Sequence, residues 1–133
     1  MNFFFDRCMP IRIARMVNAY ENEHTARHHD EDNRFTITTP DVEWMAALAS
    51  DVPPWLIISG DGRILKNKVE CAILRSTGLV FFCLAKGWMS MKFPDYAWRF
   101  IKAWPAIVEH ATHSKARVFE IGAGSGLKIT PLQ

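Results

Sequence analysis

The stretch LIISGDGRIL, residues 56–65, decides the fold, because its run of aliphatic residues ends in a lone aspartate between two glycines. An unbroken apolar run such as Leu56 to Ile58 is typical of a strand that is covered on both faces. The glycines beside Asp61 predict a turn where that strand ends. The opening NFFFD repeats the pattern, with Asp6 directly after an apolar run. Both carboxylates are therefore expected at the end of a buried strand.

The composition indicates one globular domain. The chain has 133 residues and is 49% hydrophobic, which suits a domain that buries about two-thirds of its unfolded surface. Its apolar runs are far shorter than the roughly 20 residues of a membrane helix. The N-terminus lacks a basic segment followed by a long apolar core, so we expect no secretory signal, no membrane partner and a cytoplasmic location. Three cysteines without CxxC spacing argue against a disulfide framework and a zinc knuckle.

Strand and helix patterns alternate along the chain. Helical patterns are predicted at residues 11–22, 40–50, 69–78 and 95–112, and strand patterns at 2–5, 24–29, 52–59, 79–85 and 117–121. This alternation predicts an α/β fold with a central, mainly parallel sheet of about four or five strands and helices on both faces. Residues 122–133, GAGSGLKITPLQ, are predicted to form a flexible, glycine-rich C-terminal tail.

Several acids are expected near one edge of this sheet. Ligands of open parallel sheets bind at the carboxyl ends of the strands, which is where Asp6 and Asp61 are predicted to lie. Asp41 and Glu43 begin the helix that precedes the strand ending at Asp61. Oxygen ligands without histidine suit Mg²⁺ or Mn²⁺, which can activate water and neutralise a phosphodiester. Local roles are an open alternative, since such acids also stabilise turns and complement helix dipoles.

The charge of the chain is divided between its two halves. Residues 1–60 carry 5 basic and 9 acidic side chains, whereas residues 61–133 carry 11 basic and 5 acidic ones. The division suits an acidic centre with a basic surround, as metal-assisted chemistry on a polyanion requires. Ordinary solvated surface charge produces the same pattern.

Four segments resemble PIN-like domains allied to the VapC toxin ribonucleases: FFFDRCMP, TPDVEWM, LIISGDGRILKNKVECAI and FFCLAKGW. The resemblance implies a three-layer α/β/α PIN-like domain over residues 1–121, followed by the tail. PIN domains use an aspartate after the first strand, an acid near a central helix start, and an aspartate in a Thr/Ser-x-Asp context. These positions fall on Asp6, Asp41 and Asp61, and Ser59 supplies the hydroxyl.

The resemblance leaves the fourth acid open. PIN nucleases commonly carry a further glutamate on a helix between the first and third acids, and no acid here matches that position clearly. Glu43 is the preferred fourth acid because it is close to Asp41, and Glu70 is the second choice.

The resemblance also implies a function. It predicts a Mg²⁺- or Mn²⁺-dependent endoribonuclease, the toxin of a VapBC-like type II toxin-antitoxin system. Asp6, Asp41 and Asp61 would be metal ligands, and Glu43 would join them in catalysis. The implied partners are an RNA substrate, a cognate antitoxin protein and a second copy of the chain in a homodimer. Trp88, which is flanked by lysines, is predicted to be exposed and to face RNA.

Two alternatives remain open at this point. One is a PIN-like module whose site has decayed and which binds nucleic acid or a protein partner without cleavage. The other is a phosphatase or another Mg²⁺ hydrolase on a related α/β fold, although the chain has no recognisable phosphate loop.

Overall fold

The computed structural model describes residues 1–132. The strands are β1 (Asn2–Phe5), β2 (Thr25–His28), β3 (Trp55–Ser59), β4 (Phe81–Leu84), β5 (Val118–Ile121) and β6 (Ile129–Pro131). The helices are α1 (Ile11–Tyr20), α2 (Asp41–Ser50), α3 (Lys68–Thr77) and α4 (Phe93–His113). Over the described range the six strands form one sheet in the order β2-β1-β3-β4-β5-β6, parallel except for β6. The predicted α/β class with a mainly parallel sheet is confirmed.

The sheet separates two hydrophobic cores. Successive residues of a strand point to opposite faces, so Phe3 and Phe5 of β1 enter one core and Phe4 enters the other. Helices α1 and α4 cover the first face, where the ring of Trp104 lies 4.6 Å from that of Phe3. Helices α2 and α3 cover the second face, which also buries Ile57 of β3. Burial on both faces explains why the central strands are almost wholly apolar.

Local sequence signals set several helix boundaries. Gly78 ends α3 with a φ of +68°, a left-handed conformation that glycine adopts without steric cost. Asn67 begins the same helix by accepting the backbone N–H groups of Val69 and Glu70. Helix α4 continues across Pro105 and is 21 residues long. Within residues 1–132, no helix combines the length and apolar character needed to cross a membrane.

The glycine-rich segment after β5 turns back and adds β6 to the sheet. The amide of Gly122 donates to the carbonyl oxygen of Lys128 at 2.8 Å, which closes the return. The side chains of Leu127 and Ile129 are both only 7% exposed. The prediction of a flexible tail is wrong here, because these two apolar residues pack on the core. The sheet therefore has six strands rather than the four or five predicted.

The chain reverses its direction of strand addition at the centre of the sheet. β2 pairs with one side of β1, whereas β3 pairs with the other side, and β4 and β5 follow beyond β3. Sheets of this kind bind ligands in the crevice outside the carboxyl ends of the strands at such a switch point. Asp6 follows β1 directly and Asp61 follows β3 by two residues. Both aspartates therefore lie where this architecture forms binding sites.

A pair of neighbouring substitutions tests the packing of β6. Ile129→Ala is expected to lower the free energy of unfolding by about 2–4 kcal/mol, because it removes a buried side chain. Thr130→Ala, one residue further along the same strand but exposed, is expected to change it by less than about 0.5 kcal/mol. Urea unfolding measures both. Equal, negligible effects would mean that this segment does not pack against the sheet.

Candidate active site

Asp6 is a buried carboxylate that the chain holds in place with several donors. Its residue is 7% exposed, and its amide donates to the carbonyl oxygen of Ile58 in β3 at 2.9 Å. Ser59 Oγ donates to Asp6 Oδ2 at 2.9 Å, and the amide of Arg7 donates to Oδ1. Burial raises the pKa of Asp6, the Ser59 hydrogen bond opposes that rise, and the charge of Asp41 adds to it. The negative charge of Asp41, from a different element, therefore acts on the carboxylate of Asp6.

The hydroxyl of Ser59 connects the ends of the two central strands. While it donates to Asp6, the same oxygen accepts the backbone N–H of Asp61 at 3.0 Å. Ser59 has no exposed surface, so water does not compete for either bond. The serine of the Ser-Gly-Asp motif thus fixes the turn that carries Asp61 relative to the carboxylate of Asp6.

Asp61 has a local partner as well as a place at the site. Its carboxylate begins the short 3₁₀ turn Gly62–Lys66 by accepting the amide of Arg63 at 2.9 Å. The guanidinium of Arg63 also donates to both carboxylate oxygens, at 2.8 to 3.1 Å. These hydrogen bonds hold the pKa of Asp61 below its usual value. The local role that the sequence left open is therefore real, and Arg63 balances the charge of Asp61.

Asp41 and Glu70 approach each other where α2 packs against α3. Asp41 is the first residue of α2 and accepts the indole N–H of Trp44 at 2.9 Å. Glu70 lies in the first turn of α3, the helix that packs against α2. Partial burial and the charges of Asp41, Asp61 and Asp6 raise the pKa of Glu70 to about 7. These charges come from the ends of β1 and β3 and from the start of α2, at one edge of the sheet.

Glu43 does not take part in these interactions. Its side chain is exposed, and it forms no hydrogen bond or ion pair with any side chain of the described residues. Residues two apart on a helix project in nearly opposite directions, so Asp41 and Glu43 do not face the same point. The structure brings Glu70, the second choice from the sequence, to the other acids.

The donor set suits a hard divalent cation. All four groups offer carboxylate oxygens, the ligands that Mg²⁺ and Mn²⁺ prefer. Burial is the main cause of the raised pKa of Glu70, and the charge of Asp41 adds to it. A cation nearby would lower this pKa. Over residues 1–132, however, no three His, Cys, Asp or Glu side chains stand close enough together to surround one ion without rearrangement.

A broad cleft opens beside Asp61 at the carboxyl ends of β3, β4 and β5. Its volume is about 760 Å³, and its lining includes the basic side chains of Arg63, Lys66 and Lys86. Cys8 lies at the end of the cleft near Asp6. Desolvation and the charge of Asp6 raise the pKa of Cys8 to about 12, which leaves its thiol protonated and unreactive at neutral pH.

Trp88 is not the exposed, RNA-facing residue that the sequence predicted. It has no exposed surface, and its indole N–H donates to the carbonyl oxygen of Ile121 at 3.0 Å. The short 3₁₀ turn Lys86–Ser90 directs this side chain inward. The next residue, Met89, is 80% exposed and lines the cleft instead.

Two residues of this region, Glu70 and Arg63, have only weak signals in the sequence. Glu70 follows Asn67 by three residues, the spacing of a helix N-terminal signal. That signal locates Glu70 in the first turn of α3, directly after the turn that carries Asp61. Arg63 follows Asp61 by two residues, and no sequence rule distinguishes its ion pair with Asp61 from ordinary surface charge.

Removing the Ser59 hydroxyl tests whether it holds the carboxylate of Asp6. Ser59→Ala is expected to lower the free energy of unfolding at neutral pH by about 1.5–3 kcal/mol, the usual contribution of a hydrogen bond to a charged group. Ser76→Ala is the matched control, because its exposed hydroxyl donates only to the carbonyl oxygen of Ile73. Denaturant unfolding gives both values. Equal effects would contradict a special role for Ser59.

The pH dependence of stability tests the environment of Glu70. The folded protein holds this proton up to about pH 7, whereas an unperturbed glutamate releases it near 4.5. Folding stability should therefore fall as the pH rises between these values. Glu70→Gln should remove that fall, gaining about 1–2 kcal/mol over wild type above pH ~7 and little below pH ~4.5, allowing for solvent screening. Thermal unfolding across this range measures it, with Glu43→Gln as control, and parallel curves for wild type and Glu70→Gln would contradict the interpretation.

Comparison with known proteins identifies the family of the chain. A family model described as PIN like domain matches residues 1–86, which include all four acids. No curated protein matches the chain, and no solved structure does. PIN-like domains are generally nucleases. The match covers more than half of the chain, from β1 to just beyond β4. The chain belongs to the family of PIN-like domains.

Proposed function

We propose that this PIN-like domain is a metal-dependent endoribonuclease whose acidic edge holds Mg²⁺ or Mn²⁺. Its ligands would be drawn from Asp6, Asp41, Asp61 and Glu70. The observation that carries the proposal is the position of Asp6 and Asp61 after two adjacent parallel strands, at the switch point of the sheet. Asp41 and Glu70 lie in the first turns of the two helices that pack together on one face of that sheet. A cation at this edge would offset the repulsion among carboxylates from separate elements.

Each group of the chain has a distinct task in this proposal. When bound, the cation would supply an activated water and offset charge on the phosphodiester. Ser59 keeps the carboxylate of Asp6 in one orientation. Glu70, in the first turn of α3, would add a fourth carboxylate to the ligand set. Lys66 and Lys86 of the cleft offer positive charge to the phosphates of the substrate.

We further propose that the protein is the toxin of a VapBC-like type II toxin-antitoxin system. The support for this finer assignment is the resemblance of the segments around Asp6, Asp41 and Asp61 to VapC-type toxins. The cognate antitoxin, the homodimer and the cytoplasmic location belong to the same proposal. Coexpression with the neighbouring gene product tests it, because an antitoxin should form a stable complex with the chain and suppress its toxicity.

A second candidate is a decayed PIN-like module that binds nucleic acid or a protein without cleavage. Arg63 favours this candidate, because its guanidinium already satisfies both oxygens of Asp61. The lack of three metal-ligating side chains around one point among residues 1–132 favours it as well. This module would bind RNA in the cleft equally well with Mn²⁺ and with a chelator.

Cleavage of labelled RNA with Mn²⁺ or Mg²⁺ separates the two candidates. Wild type is expected to cleave with metal and to be inactive with EDTA. Glu70→Gln should lower the rate by about a hundredfold or more, as expected for loss of a charged metal ligand. Glu43→Gln is the matched change on an exposed glutamate and should remain close to wild type.

Two results would count against the proposed site. Cleavage that survives in Asp6→Asn would come from a contaminating nuclease or another site. A loss in Glu43→Gln with full activity in Glu70→Gln would make Glu43 the fourth acid, as preferred from the sequence.

A further inference from the structure

The cleft beside the acids has a mixed lining that the four carboxylates do not explain. Its volume of about 760 Å³ is within the roughly 300–1,000 Å³ of sites for small organic ligands. It extends from Asp61 past the end of β4 to the 3₁₀ turn that contains Met89. The cleft is thus larger than a cation requires and continuous with the acidic edge.

One wall of the cleft is apolar and open to solvent. Met89, Met91 and Phe93 line this wall. Met89 is 80% exposed and belongs to neither hydrophobic core, so packing does not account for it. The guanidinium of Arg12 lies 3.8 Å from the centre of the Phe93 ring and supports that ring from α1. Methionine sulfur and aromatic rings both make favourable contacts with planar π systems.

The charged lining of the cleft favours an anionic ligand. Lys66 and Lys86 line it, and neither forms an ion pair within the part of the chain that the structure describes. Two acids, Asp61 and Glu120, also line the cleft, but Arg63 balances the charge of Asp61. A ligand with a flat apolar group and flanking negative charges therefore matches the lining.

We propose that the cleft is a specificity subsite that takes one unstacked nucleobase on Met89 and Phe93, with the neighbouring phosphates on Lys66 and Lys86. This inference rests on the proposed function, because the subsite would place the adjoining phosphodiester beside Asp61. A base in a duplex has both π faces covered by its neighbours, so the subsite requires a single-stranded segment.

Binding without metal tests the subsite separately from cleavage. Fluorescence anisotropy in EDTA would compare a labelled single-stranded RNA, the same sequence as DNA, and the RNA in a duplex. The single strands are expected to bind more tightly than the duplex. Met89→Ser should weaken single-strand binding by about three- to tenfold. Lys86→Ala should also weaken it and reduce the salt slope by about 0.7.

Two control variants match these changes away from the cleft. Lys115→Ala removes an exposed lysine just before β5, at the opposite edge of the sheet. Val52→Ser removes an apolar side chain that is 97% exposed and precedes β3. Both are expected to bind as wild type. Equal losses in the control and cleft variants, or equal affinity for duplex and single strand, would overturn the subsite.

The subsite and the nuclease can fail independently. Tight single-strand binding that depends on Met89 and Lys86, without cleavage under any metal condition, would support the subsite and contradict the nuclease. Metal-dependent cleavage that Met89→Ser and Lys86→Ala leave unchanged would support the nuclease and contradict the subsite. A difference between the RNA and DNA single strands would show whether the 2′-hydroxyl contributes to recognition.

Discussion

The buried hydroxyl of Ser59 links the ends of the two central strands, β1 and β3, at the switch point of the sheet. It donates to the carboxylate of Asp6 and accepts the amide of Asp61, each at about 3 Å. Without that donor, the buried carboxylate of Asp6 would keep only the Arg7 amide and the weak Cys8 thiol as donors, so part of its desolvation cost would no longer be offset. Without that acceptor, the turn that leads to Arg63 and then to α3 would lose its anchor to β3. The orientation of the later acids therefore depends on one side chain in the strand that precedes them.

Most of the architecture could be predicted from short-range patterns. Continuous apolar runs located β1, β3 and β4, because strands buried on both faces need no polar side. The alternation of strands and helices predicted parallel strands. Because Asp6 and Asp61 each follow a strand, this prediction also placed both acids at one edge of the sheet. Gly78 marked the end of α3 because a left-handed terminal residue has a strong preference for glycine. These signals come from residues that are neighbours in the chain, so they can be recognised in a single sequence.

The features in which the structure differs from the predictions depend on how separate helices and strands pack together. Glu43 was preferred over Glu70 because it is close to Asp41 in sequence, but a helix directs residues two apart to different sides. The contact between α2 and α3, which sequence spacing does not determine, brings Glu70 to Asp41 instead. Trp88 is buried because its ring packs against Tyr96 and Phe100 of α4. Its indole N–H donates to the carbonyl oxygen of Ile121 in β5, the strand beside β4. The pairing of Ile129 with β5 is likewise a tertiary contact. The glycines before Ile129 are typical of a flexible segment, so the sequence does not indicate this strand.

Anomalous diffraction from crystals grown with Mn²⁺ tests most directly whether the acidic edge is a metal site. The account predicts one strong peak among the carboxylates of Asp6, Asp41 and Glu70, with the ion pair between Asp61 and Arg63 loosened or broken. The peak should disappear in Asp6→Asn crystals grown in the same way. No peak at this edge in wild-type crystals, with the Asp61–Arg63 pair intact, would contradict the account and leave a PIN-like domain that binds without metal.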